Sequence, residues 1–69
     1  VAKTPITRLW LQTTATGERV CARLADGTVR VLTPSLGQFS APIELERRAR
    51  RAGLKVRETQ AGPVAERED

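Results

Sequence analysis

Ten arginines and one tryptophan are the residues with the most chemistry to offer in this 69-residue chain. A guanidinium presents a planar fork of donors that matches phosphate or carboxylate oxygens two at a time. An indole ring stacks on nucleobases or covers apolar surface. The groups that activate a nucleophile are missing. There is no His, so Ser-His-Asp and Cys-His chemistry lack their base. One Cys and no His give zinc no ligand set within one chain, and a lone Cys excludes an intrachain disulfide. Glu18, Asp26, Glu44 and Glu46 form no pair with an evident acid–base geometry, and the glycines read as turn residues without a phosphate-cradling pattern. These absences point to a binding protein rather than an enzyme, with no cofactor and no metal.

The charge is unevenly spread. Residues 1–57 hold 11 of the 12 Lys+Arg and 4 of the 8 Asp+Glu, formally +7. Residues 58–69 hold one Arg and four acids, formally −3. A basic body therefore carries an acidic C-terminal stretch, and no apolar run approaches the ~20 residues that cross a bilayer. The expected setting is the cytoplasm, without a membrane.

Three strand-like segments, a helix and a tail must position the cations. Residues 6–13, 19–25 and 28–33 are rich in Val, Thr, Ile and Leu and read as strands. Asp26-Gly27 between two alternating runs predicts a two-residue type I′ hairpin. Ser40 is placed to cap a helix over residues 41–52, and Gly53 to end it. Residues 54–59 offer a short fourth strand. The predicted fold is α+β: a three-stranded antiparallel sheet packed on one helix. Residues 1–5 form an arm, residues 6–59 the domain, and residues 60–69, with Gly62-Pro63, a disordered acidic tail.

Strand alternation divides the sheet into two faces. With a two-residue turn, Leu24 faces Val29, Arg23 faces Arg30, Ala22 faces Val31 and Cys21 faces Leu32. One face then collects Leu9, Leu11, Val20, Ala22, Leu24, Val29 and Val31 as the core. The other collects Arg8, Trp10, Arg19, Arg23 and Arg30, with Trp10 over Cys21 and Leu32. Like charges opposite each other are unfavourable unless an anion bridges them. On the helix, Ala41, Leu45, Ala49 and Ala52 form the inner stripe. Glu44–Arg48 and Glu46–Arg50 are i,i+4 pairs worth about 0.2–0.5 kcal/mol each. Arg47 and Arg51 have no acid four residues before them, and Ile43 faces outward beside Arg47.

The β-β-β-α order over residues 6–53 is similar in layout to the small DNA-binding domains of the plant AP2 and phage integrase N-terminal type. That resemblance implies a sheet face laid on DNA, and no residue roles are transferred from it. The sequence therefore predicts a DNA-binding accessory or transcription-regulating protein. Its contacts would be Arg8, Trp10, Arg19, Arg23, Arg30, Arg47 and Arg51, with duplex DNA favoured over RNA. The acidic tail would act as a competing polyanion. The alternative is a protein-interaction or assembly subunit, as a homodimer or part of a larger complex, with a small SH3-like or Tudor-like barrel as its shape.

Overall fold

The computed structural model describes residues 4–67. In chain order the elements are β1 (Ile6–Thr14), β2 (Gly17–Leu24), β3 (Val29–Val31), α1 (Ser40–Ala52), β4 (Lys55–Thr59) and β5 (Gly62–Glu66). The predicted three-stranded sheet is corrected to a five-stranded antiparallel sheet of order β3-β2-β1-β5-β4. The small α+β character is retained. The segment read as a disordered tail supplies β5, which pairs with both β1 and β4. Residues 1–3 of the predicted arm and residues 68 and 69 of the predicted tail lie outside the described residues.

The helix lies across one sheet face and packs on β1, β2, β5 and β4. Leu9, Val20, Ala22, Leu45, Ala49, Leu54 and Ala65 form the buried core, with Ile6, Leu11, Leu32 and Val56 around it. Several of these are alanines, so a helix with little apolar bulk can still seat itself on the sheet. Its inner stripe is Ala41, Leu45 and Ala49, whereas Ala52 is exposed. The N-cap is Phe39 rather than Ser40, and no side chain caps it. The Gly37 carbonyl accepts the Ser40 and Ala41 N–H groups instead. At the other end the Leu54 N–H donates to the Ala49 carbonyl at 2.8 Å while Gly53 adopts φ 74°. This six-to-one closure turns the chain back and drops Leu54 into the core.

The hairpin between β2 and β3 departs from the predicted turn, and the departure moves one of the predicted contact residues. The Gly27 N–H donates to the Leu24 carbonyl and the Leu24 N–H to the Thr28 carbonyl. Three residues, Ala25, Asp26 and Gly27, therefore form the loop, with Gly27 at φ 91°. That is a four-residue turn followed by a left-handed glycine bulge. Asp26 Oδ1 accepts the Thr28 N–H at 2.9 Å. The extra residue slips the register, so Cys21 pairs with Val31, Ala22 with Arg30 and Arg23 with Val29. A one-residue slip exchanges the faces of the whole strand. Arg30 thus lies on the helix side, not beside Arg23, and Leu32 joins the core instead of lying under Trp10. Val29 and Val31, predicted to be core, are 56% and 51% exposed on the helix-free side.

After β3 the chain continues alongside β2. The Leu32 N–H donates to the Val20 carbonyl, and the buried Thr33 hydroxyl accepts the Val20 N–H at 3.0 Å. Glu18 and Leu36 then form a two-bond bridge. Gly17 sits against this bridge at φ 155°, and a β-carbon there would collide with the Leu36 carbonyl oxygen.

Candidate nucleic-acid interface

The helix-free face is ordered by cross-strand rows. One row runs Val29, Arg23, Arg8, Glu66 and Lys55 across the five strands. The next runs Val31, Cys21, Trp10, Val64 and Arg57. A further pair on β1 and β2 is Gln12 with Arg19. Trp10 stands on β1, the central strand, half-buried between Cys21 and Val64, which are both buried. Its mixed setting follows from the row: small and apolar neighbours hold the indole down while its outer part stays accessible.

Arg8 and Arg23 lie directly opposite each other. The sequence reading expected a like-charge pair on this face but assigned Arg30 as the partner of Arg23. Arg8 is partly compensated: its guanidinium lies 5.9 Å from the centre of the Trp10 ring and 3.9 Å from the Glu66 carboxylate. Glu66 is shared with Arg57, which donates to it at 2.9 Å. Arg23 is exposed and has no ion pair among the described residues. Arg19 donates to the Gln12 side-chain oxygen at 2.6 Å, which fixes its direction without neutralising it. A shallow groove between these groups is lined by Arg8, Trp10, Arg23, Val29 and Val64. Chemically it offers two forked cations, one aromatic surface and an apolar floor.

Of the sequence-predicted contacts, Arg8, Trp10, Arg19 and Arg23 are brought together here. Arg30 is exposed on the opposite face at the sheet edge, and Arg47 and Arg51 are on α1, across the sheet. The seven residues therefore do not make one surface. Sequence reasoning missed Arg57, Lys55, Glu66 and Val64, all on the C-terminal hairpin. The alternation of Val56 with Lys55 and Arg57 was the available signal.

Cys21 is buried, so the strand reading of that residue fits its place. Among the described residues no group of His, Cys, Asp and Glu could hold a metal, and no helix is long and apolar enough to cross a membrane. No protein-family model, curated protein or solved structure matches this chain.

Proposed function

We propose that the chain binds single-stranded nucleic acid across the helix-free face of its sheet. The observation that carries this reading is the opposed pair Arg8 and Arg23 beside Trp10 on the central strands. A phosphate between the two forks removes their repulsion, and a base displaces Arg8 from the Trp10 ring to stack there. Exposed Val29 and Val31 provide apolar ground for sugars and bases.

Sheet width favours a single strand over duplex. Five strands at a spacing of ~4.8 Å span about 19 Å, whereas the B-DNA major groove is about 12 Å wide. A three-stranded sheet would fit that groove, but the added β5 and β4 widen the face beyond it. An extended strand has no such limit, and base–aromatic stacking contributes about 1–3 kcal/mol per base.

Trp10 is the only tryptophan, so its fluorescence reports the site directly. We expect quenching by short single-stranded oligonucleotides, with affinity falling steeply as salt rises. The Arg8→Ala/Arg23→Ala double variant should lower the slope of log affinity against log salt by about 0.7, for the one single-strand phosphate the two forks share. Tighter binding to a duplex would reject the single-strand assignment. No binding of either form at low salt would reject nucleic acid altogether.

A further inference from the structure

The outer face of α1 carries a second pattern, independent of the sheet. Phe39 at the helix start and Ile43 one turn on are 77% and 68% exposed. At 3.6 residues per turn, Arg47 continues this line and Arg51 follows at its flank. Arg48 is paired with Glu44 and Arg50 with Glu46. Arg47 and Arg51 are exposed with no ion pair among the described residues. A groove lined by Ile43, Glu46, Arg47, Arg50 and Arg51 joins the apolar end to the cationic end. The inner stripe of α1 already supplies the core, so neither the aromatic ring nor the two spare cations are needed for folding.

We propose that this outer face docks an acidic, amphipathic segment of another protein, its apolar side chains on Phe39 and Ile43 and its carboxylates on Arg47 and Arg51. Charge complementarity selects this occupant. A second copy of α1 brings the same four arginines and only two glutamates, both already paired with Arg48 and Arg50, so the excess of cations is doubled rather than met. An anionic lipid plane meets Glu46 within the groove and gains only two large apolar anchors. A nucleic-acid strand would carry its phosphates past Glu46, which lines the groove between the apolar and cationic ends. A peptide places carboxylates where the cations stand, avoids Glu46, and buries both apolar side chains in the helix-in-groove manner.

The test is a selection from displayed random 16-residue peptides on the full chain, with counter-selection on the Ile43→Ser/Arg47→Glu variant. All the substituted positions are exposed, and unchanged thermal melting establishes that the variant folds. We expect enriched peptides that combine Leu, Ile or Phe with Asp or Glu. A synthetic consensus peptide should shift the amide resonances of residues 39–51 and bind the variant at least tenfold more weakly. It should still bind when the sheet face carries Arg8→Ala/Arg23→Ala, which separates this site from the nucleic-acid reading. Enrichment of non-acidic peptides, equal binding to the variant, or no enrichment overturns the proposal. So does a helix face that answers only to phosphatidylserine vesicles or oligonucleotides.

Discussion

Glu66 has two opposing effects on the sheet face. It holds Arg8 and Arg57 in place, and it sets a negative charge where a phosphate backbone would pass. Arg8 and Arg57 are exposed and Glu66 is half-buried at the surface, so the energies are small, about 0.3–1 kcal/mol. Glu66→Gln should therefore raise affinity for a single-stranded oligonucleotide about two- to fivefold at low salt. The gain should vanish near 1 M salt, where the screening length is about 3 Å. A titration of Trp10 fluorescence at several ionic strengths checks both parts. Thr33 is a different kind of residue: its hydroxyl is buried and satisfies the Val20 N–H. Thr33→Val keeps the shape and removes the acceptor. It should lower stability by about 1–3 kcal/mol in a denaturant melt, because the orphaned donor stays buried. Neither role was legible beforehand. Thr33 ends a strand-like run, and only the interrupted pairing of the chain along β2 turns its side chain into a replacement for a backbone carbonyl.

Elements with local signals were readable, and those fixed by distant partners were not. The helix announced itself through its salt-bridging pairs and Gly53, and both predicted i,i+4 pairs form. The Asp-Gly turn was placed correctly, but its loop length was not, since Asp-Gly serves two- and three-residue hairpins alike. That single residue moved Arg30 to the other face, while the separate β1–β2 register sets Arg8 beside Arg23. The turn itself has a pH signature. The Thr28 N–H bond to Asp26 holds that carboxyl below its ordinary range, so folding favours the ionised form. Its contribution is complete above the unfolded-state value and disappears as pH falls through the folded one. An NMR titration of Asp26 should show a depressed midpoint that returns to normal in urea. At the start of β2, Gly17→Ala should cost about 1–3 kcal/mol from backbone strain, with the clash against Leu36 in addition. A thermal melt that matches the parent chain would contradict this.

For the whole molecule, the C-terminal residues decide the architecture. Gly62-Pro63 and four acids give residues 58–69 the composition of a tail, and Val64 and Ala65 are too short a run to signal a strand. β5 pairs locally with β4, but the pairing that seats it in the sheet lies more than fifty residues away, at Arg8–Trp10, where no local pattern can reveal it. Pro63 is tolerated because β1 pairs only with Val64, Ala65 and Glu66, beyond the missing N–H. If residues 60–69 were a competing polyanion, their deletion would tighten nucleic-acid binding. With β5 between β1 and β4, the same deletion removes Ala65 from the core and opens the edge of the central strand. The shortened chain should lose its cooperative melt by circular dichroism and aggregate at micromolar concentration.

The antiparallel match of Arg8 with Glu66 also governs how the domain connects to anything else. The backbone leading into β1 and the backbone leaving β5 run off the same rim. A neighbour fused at either end hangs from that rim and leaves both broad surfaces clear. A short Gly/Ser bridge from residue 67 to residue 4, with new termini cut at Asp26-Gly27, would give a circular permutant with the same strand order.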